Sequence, residues 1–150
     1  MGTHPMRHKA ILLVEDNATD EALTLRAFRK CEVVKEVAVA RDGAEALDYL
    51  FATGAHAGRD VADLPAMILL DLKLPKFDGK HVLRAVRTDE RTKLIPVVIF
   101  TSSLEEQDVV DGFRLGCNSY VCKPVIFERF VDAVKQIGQY WLGLNEPVPA

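Results

Sequence analysis

The sequence predicts an α/β protein with a doubly wound, five-stranded parallel sheet. Five apolar runs of four or five residues are rich in Val, Ile and Leu, and segments with helical spacing of apolar residues separate them. The 150 residues, 49% hydrophobic and 27% charged, fit one domain with a sizeable core. Strands that alternate with helices imply parallel strands joined by right-handed crossovers, for which the strand order 2-1-3-4-5 is common.

The strands are predicted from short apolar runs with the length typical of a strand. An unbroken apolar run favours a strand that is covered on both faces, and the first, third and fourth runs fit this pattern best. These three are therefore expected at the centre of the sheet. The five predicted strands are Ala10–Val14, Glu36–Ala40, Met67–Leu70, Pro96–Phe100 and Ser119–Cys122.

Each of the five predicted helices has a recognisable N-terminal signal. Acidic residues, capping side chains and a proline are all favoured at the first turn of a helix. The result is a (βα)5 chain with a flavodoxin-like arrangement, which binds ligands at the carboxyl ends of its strands. In chain order the signals are Thr19-Asp20-Glu21, Asp42-Gly43, Asp78, Thr101-Ser102-Ser103 and Pro124.

Composition and charge argue against several classes of protein. The formal net charge of -3 is unlike that of a nucleic-acid binder, which usually carries a basic face. No apolar run approaches the roughly 18 residues that span a bilayer, so we expect no contact with a membrane. Three cysteines without metal-binding spacing favour a reduced, cytoplasmic protein. Residues 1–9 are predicted to be a disordered leader, 10–142 the domain and 143–150 a C-terminal tail.

Polar side chains follow four of the predicted strands at their carboxyl ends. Glu15-Asp16 follows the first strand, Asp71 the third, Thr101-Ser102 the fourth and Lys123-Pro124 the fifth. These strands are neighbours in a 2-1-3-4-5 sheet, so their carboxyl ends share one cleft. We therefore predict a cleft with three carboxylates, a hydroxyl pair and one ammonium group.

This set of side chains is typical of a phosphoryl-acceptor site. Mg²⁺ would offset the repulsion among the acids, since it prefers one or two carboxylates together with water and phosphate oxygens. The Asp71 carboxylate can act as a nucleophile and form an aspartyl phosphate. Lys123 and Thr101 would each meet a phosphoryl oxygen, so charge neutralisation and positioning would carry most of the chemistry.

Taken singly, each of these features also has an ordinary structural explanation. An acid pair after a strand is often a solvated turn, and Asp71 could cap the turn that follows it. Loop lysines usually face water, and Thr101-Ser102-Ser103 could be an N-cap for the fourth helix. The functional interpretation depends on all four features meeting at one edge of the sheet.

Four motifs resemble the receiver domains of two-component response regulators, over about Ala10–Trp141. The resemblance implies phosphorylation of Asp71 by a sensor histidine kinase. It also implies Mg²⁺ held by Asp16, Asp71 and the backbone carbonyl of Lys73, with Glu15 acting through water, and a switch pair of Thr101 and Tyr120. The motifs are ILLVEDN (Ile11–Asn17), LLDLKLPKFDG (Leu69–Gly79), VVIFTSS (Val97–Ser103) and YVCKP (Tyr120–Pro124).

Two further segments resemble a subgroup of small response regulators that partner phytochromes. These are the long connection Thr53–Leu64 and the aromatic tail QYWLGLNEPVP. The resemblance implies a bacteriophytochrome as the kinase and signalling through contact with a partner.

Other functions on the same fold are disfavoured by specific residues. A flavodoxin-like electron carrier would need a phosphate-binding loop after the first strand, and here acids stand there. A haloacid-type phosphatase would need a D-x-D motif, whereas the sequence reads Glu15-Asp16-Asn17. A DNA-binding regulator would need a helix-turn-helix after the fifth helix, where only a short tail follows. A signalling protein, not an enzyme, is therefore predicted.

The end of the chain carries more apolar area than one helical stripe can bury. Trp141 follows Val134 and Ile137 at helical spacing. We predict a C2 homodimer built on the fourth helix, the fifth strand, the fifth helix and the tail. The alternative is that Trp141 folds back onto its own domain. The predicted interface residues are Tyr140, Trp141, Leu142 and Leu144.

Overall fold

The computed structural model describes residues 9–149 and contains a parallel sheet with the strand order β2-β1-β3-β4-β5. Strands β1, β3 and β4 are buried along their whole length, because helices cover both faces of the sheet. The predicted flavodoxin-like α/β fold, its strand order and its central strands are confirmed. The strands are β1 Ala10–Val14, β2 Glu36–Ala40, β3 Met67–Leu70, β4 Val97–Thr101 and β5 Ser119–Cys122.

Five α-helices alternate with the strands, and three of them begin at a capping side chain. Asn17, Asp42 and Asp78 each accept a hydrogen bond from the backbone N–H three residues later. Within residues 9–149, no helix is both long and apolar enough to cross a membrane. The helices are α1 Ala18–Arg29, α2 Gly43–Phe51, α3 Gly79–Thr88, α4 Glu106–Leu115 and α5 Phe127–Gln139, with a 3₁₀ turn at Gly54–His56 and a π-helical turn at Tyr140–Leu144.

The sheet separates two hydrophobic cores. Alternate residues of β1 point to opposite faces, so Leu12 packs with α2 and α3 while Ile11 packs with α1 and α5. The core between the sheet and helices α1 and α5 contains Phe28 and Val134, whose side chains are both fully buried. This double cover fixes the sheet and leaves its carboxyl edge open to the loops.

Four boundaries differ from those predicted. Helix α1 begins one residue earlier, at Ala18, because Asn17 caps it. Strand β4 begins and ends one residue later than predicted, from Val97 to Thr101. Helix α4 begins at Glu106 after a cap residue whose side chain makes no capping bond, so the Thr-Ser-Ser segment is not its N-cap. Helix α5 begins at Phe127, since Pro124 and the two residues after it form the turn that follows Lys123.

The two ends of the described chain lie against each other. Lys9 donates a hydrogen bond from Nζ to the carbonyl of Leu142 at 2.9 Å, and its own carbonyl accepts from the N–H of Lys35. Lys9 therefore makes contacts within the domain, whereas residues 1–8 of the predicted leader and residue 150 of the tail lie outside the described residues.

The π-helical turn changes which apolar side chain near the C-terminus enters the core. A π-turn inserts an extra residue into each turn of a helix, so the stripe that ends at Ile137 continues at Leu142 instead of Trp141. Leu142 is 5% exposed, and Trp141 is half-buried beside it. Leu142 thus belongs to the domain's own core, which corrects its prediction as an interface residue. Tyr140 and Leu144 remain exposed.

Candidate functional site

The acids and the lysine predicted from the strand ends lie together at the carboxyl edge of the sheet. Backbone hydrogen bonds continue the ladder just beyond the strands. They run from Glu15 N to Ala40 O (2.9 Å), from Asp71 N to Val14 O (3.1 Å) and from Lys123 N to the carbonyl oxygen of the last residue of β4 (2.8 Å). The main chain therefore fixes these side chains where the strands end. Glu15, Asp71 and Lys123 are each less than 10% exposed.

Three carboxylates form a cluster that could hold a metal ion. One carboxylate oxygen from each of Glu15, Asp16 and Asp71 lies within 4.8 Å of the others. Glu15 and Asp71 are buried, while Asp16 faces solvent. Oxygen donors in this number and charge suit a hard divalent cation such as Mg²⁺. The donor set therefore fits the predicted metal.

Lys123 is the cation that faces these acids. Its ammonium nitrogen lies 2.7 Å from Glu15 Oε1, 2.8 Å from Asp71 Oδ2 and 2.8 Å from Asp20 Oδ2. Asp20 was not among the predicted site residues, because it lies on helix α1 and follows no strand. Its position three residues after the N-cap Asn17 is the signal that could have identified it, since that turn of the helix opens at the same edge.

Burial and charge pairing change the proton affinities of this cluster. Burial raises the pKa of the Glu15 carboxyl to about 7, and the hydrogen bond from Lys123 opposes this rise. For Lys123, burial alone lowers the pKa, but the hydrogen bonds to Asp20, Asp71 and Glu15 outweigh burial and hold the pKa above its ordinary value. Lys123 is therefore a charged ammonium group in the cleft.

The predicted switch residues are connected through the loop after β4. Thr101 is fully buried, and its hydroxyl oxygen lies 3.5 Å from the backbone nitrogen of Ser103. Tyr120 donates a hydrogen bond from its hydroxyl to the Ser103 carbonyl at 2.8 Å. A Cβ atom on Gly112 would lie 3.2 Å from the Tyr120 ring, so helix α4 packs closely against this ring. Ser103 thus joins Thr101 to Tyr120.

The loop between β3 and α3 is held by contacts with Asp71 and with the start of α2. Asp71 Oδ1 lies 3.3 Å from the backbone nitrogen of Lys73. A Cβ atom on Gly79 would lie 2.3 Å from the Asp71 carbonyl oxygen, so the chain can return this closely only at a glycine. The N-terminus of α2 holds the same loop, since Gly43 donates a backbone hydrogen bond to Pro75. The loop therefore keeps Lys73 beside the predicted acceptor.

The sequence matches a known family over most of its length. A family model for the response regulator receiver domain matches residues 11–135. The chain therefore belongs to the response regulator receiver family, as its motifs predict. Proteins of this family act mainly in signalling, bind divalent metal ions and interact with histidine kinases.

Curated relatives cover nearly the whole chain. It is 43% identical over 141 residues to the probable methanogenesis regulatory protein FilR2 of Methanothrix harundinacea (strain 6Ac), an alignment of 93% of this chain and 88% of FilR2. It is 35% identical over 134 residues to response regulator Rcp1 of Synechocystis sp. (strain ATCC 27184 / PCC 6803 / Kazusa), with 89% of each chain covered.

Solved structures of phytochrome response regulators share the fold. The phosphorylated cyanobacterial phytochrome response regulator RcpA matches with a TM-score of 0.87 and 38% identity, over 93% of this chain and 98% of RcpA. The Mn²⁺-bound form of Rcp1 matches at 0.86 and 34%, over 94% and 99%. The bacteriophytochrome response regulator AtBRR matches at 0.71 and 53%, over 91% and 97%. The chain is thus a receiver-domain response regulator homologous to phytochrome response regulators.

Proposed function

We propose that Asp71 accepts a phosphoryl group from the phosphohistidine of a sensor histidine kinase. One Asp71 carboxylate oxygen attacks phosphorus, the N–P bond breaks, and the imidazole nitrogen of the kinase keeps the electron pair. The observation that carries this proposal is the position of Asp71 Oδ2, 2.8 Å from the Lys123 ammonium nitrogen. The two acids after β1 complete the carboxylate cluster.

We propose Mg²⁺ as the metal, held by Asp16, Asp71 and the backbone carbonyl of Lys73, with Glu15 acting through water. The carboxylate cluster supports this proposal, and so does the Mn²⁺ in the structure of Rcp1. When bound, the metal offsets the negative charge of the acids and of the incoming phosphoryl group. Lys123 and the Thr101 hydroxyl would each meet a phosphoryl oxygen from the protein side.

We propose that the phosphorylated chain signals by contact with a partner and does not act as an enzyme on a separate substrate. The kinase proposed here is a cytoplasmic sensor of the bacteriophytochrome type, because RcpA and AtBRR are phytochrome response regulators. The net charge of -3 supports a protein partner over a nucleic acid.

We propose that the signal leaves through the face of α4, β5 and α5. Movement of Thr101 toward a phosphoryl oxygen would disturb Ser103, whose carbonyl binds the Tyr120 hydroxyl. The population of side-chain packings along α4 would then shift. The exposed rings of Phe113 and Tyr140 and the exposed Leu144 support a C2 homodimer through this face and the tail.

Phosphate incorporation into variants tests the acceptor and the metal together. Wild-type protein, Asp71→Asn and Asp132→Asn are incubated with a small acyl phosphate and Mg²⁺, and intact mass is measured. Asp132 is an exposed acid on α5 and serves as the matched control. We expect wild type and Asp132→Asn to gain one phosphoryl group, and Asp71→Asn or wild type with excess chelator to gain none. An equal gain in Asp71→Asn would refute the acceptor, and an equal gain with chelator would refute the metal.

A further inference from the structure

Asp20 is a charged side chain that contacts the site without being a strand-end residue. It lies in the first turn of α1, with its carboxylate 2.8 Å from the Lys123 ammonium nitrogen. An ammonium group has three hydrogens to donate. In this structure Glu15, Asp20 and Asp71 accept from Lys123 at 2.7–2.8 Å, which uses all three.

The three acceptors differ in how easily they can release the lysine. The side chains of Glu15 and Asp71 are 3% and 8% exposed, and both are held by main-chain bonds at the ends of buried strands. The side chain of Asp20 is 25% exposed. Water can therefore solvate the Asp20 carboxylate if Lys123 leaves it, whereas the buried acids would lose their counter-charge in a poorly solvated environment.

We propose that Asp20 is a positioning residue that restrains Lys123 and competes with the phosphoryl group for it. This inference rests on the proposed acceptance of phosphate by Asp71. A phosphoryl group brings three oxygens to the cleft, and an extra bond from Lys123 to one of them requires the loss of a carboxylate bond. Asp20 is the partner that Lys123 gives up.

The negative charge of Asp20 should also slow the phosphorylation of Asp71, as its bond to Lys123 does. The carboxylate adds one negative charge to a cleft that already holds Glu15, Asp16 and Asp71. An anionic phosphoryl donor is repelled by each of them, and solvent-exposed charges act over a distance that salt shortens. Removal of the Asp20 charge should therefore both release one donor of Lys123 and reduce the repulsion of the incoming anion.

The rate of phosphorylation by acetyl phosphate with Mg²⁺ tests this inference. We expect Asp20→Asn to react about two- to fivefold faster than wild type at low ionic strength, the size of effect that a partly exposed charge pair produces. The acceleration should shrink at high salt. Asp20→Glu, which restores the carboxylate, should return the rate toward the wild-type value. A purely structural role would produce neither the salt dependence nor the rescue.

Glu21→Gln is the matched control for these measurements. Glu21 is the next acid of the same helical turn, and its carboxylate binds Arg41 at 2.9 Å instead of Lys123. We expect it to react at the wild-type rate. An unchanged or slower Asp20→Asn, with wild type active and Asp71→Asn inert, would overturn the role of Asp20 and leave the proposed function standing. A wild-type protein that takes up no phosphate would overturn both.

Discussion

Lys123 is a buried cation and Arg87 a half-buried one, and their hydrogen-bond partners differ in charge. Lys123, at the carboxyl edge of the sheet, binds three carboxylates. Arg87, near the end of α3, donates to neutral oxygens, at 2.8 Å to the carbonyls of Gly116 and Ile95 and to the side-chain amide of Asn118. Lys123 thus belongs to the proposed phosphoryl-acceptor site, whereas Arg87 joins α3 to the segments before β4 and β5 through neutral oxygens.

The two environments have opposite consequences for the cation. Carboxylate partners hold the pKa of Lys123 above its ordinary value despite burial. Burial lowers the pKa of Arg87, since its oxygen partners carry no charge to offset the loss of water. An excess of acids around Lys123 leaves negative charge that a metal ion can offset. The oxygens around Arg87 accept its hydrogen bonds and add no net negative charge to that region.

Replacement of Lys123 should produce the largest change in function. We expect Lys123→Met to reduce the rate of phosphorylation by acetyl phosphate by about two to three orders of magnitude, the usual result of removing a preorganised donor from a developing charge. Lys123→Arg should recover only part of the rate, because a planar guanidinium does not reproduce the geometry of an ammonium group.

Two measurements make this result interpretable. Lys30→Met, at an exposed lysine just after α1, is the control and should react at the wild-type rate. Circular dichroism at the assay pH verifies that the variants are folded. A folded Lys123→Met with a near-wild-type rate would show that the ammonium group takes no part in the reaction.

Replacement of Arg87 should instead change stability. We expect Arg87→Ala to lower the free energy of unfolding by about 2 kcal/mol, because partly buried carbonyl oxygens lose a charged donor. The phosphorylation rate of the folded protein should stay unchanged. Denaturant titration measures the first quantity and acetyl phosphate kinetics the second.

An exposed arginine on the same helix provides the control for this prediction. Arg84→Ala should change the free energy of unfolding by less than about 0.5 kcal/mol. If Arg87→Ala is as stable as Arg84→Ala, or loses phosphorylation while folded, the division between the reactive role of Lys123 and the structural role of Arg87 does not hold.

The tail supplies a smaller and more local comparison between a core residue and an exposed one. We expect Leu142→Ala to lower the free energy of unfolding by about 2–3 kcal/mol, since Leu142 is buried beside α5. Leu144→Ser should leave stability unchanged and weaken the proposed dimer, because Leu144 is 77% exposed. Denaturant titration and sedimentation at matched concentrations separate the two effects. Sedimentation of wild type as a monomer, with and without phosphate, would exclude the dimer.

Much of the site could be predicted because parallel strands end at one edge. Glu15 and Asp71 follow buried apolar strands and Lys123 follows the half-buried β5, so the strand order alone brings the three together. Asp20 could not be found in this way, since its contact with Lys123 depends on how helix α1 is placed over the sheet.

Other features depend on packing that a periodic pattern does not reveal. Arg87 lies between the buried Val86 and the exposed Thr88, and no periodic pattern indicates that later turns supply its hydrogen-bond acceptors. Leu142 is buried in the position predicted for Trp141 because of a single π-helical turn, which a regular spacing of 3.6 residues cannot predict. Long-range contacts with neutral oxygens and irregular helix geometry therefore account for these two features.

Direct chemical localisation of the phosphoryl group tests the central claim, that Asp71 is the acceptor beside Lys123. Wild-type protein phosphorylated with acetyl phosphate and Mg²⁺ is treated with borohydride, which reduces an aspartyl phosphate to homoserine, and its peptides are sequenced by mass spectrometry. The account predicts homoserine at position 71 and intact aspartate at Asp16 and Asp20. Homoserine at either of those two positions, with Asp71 unmodified, would contradict it.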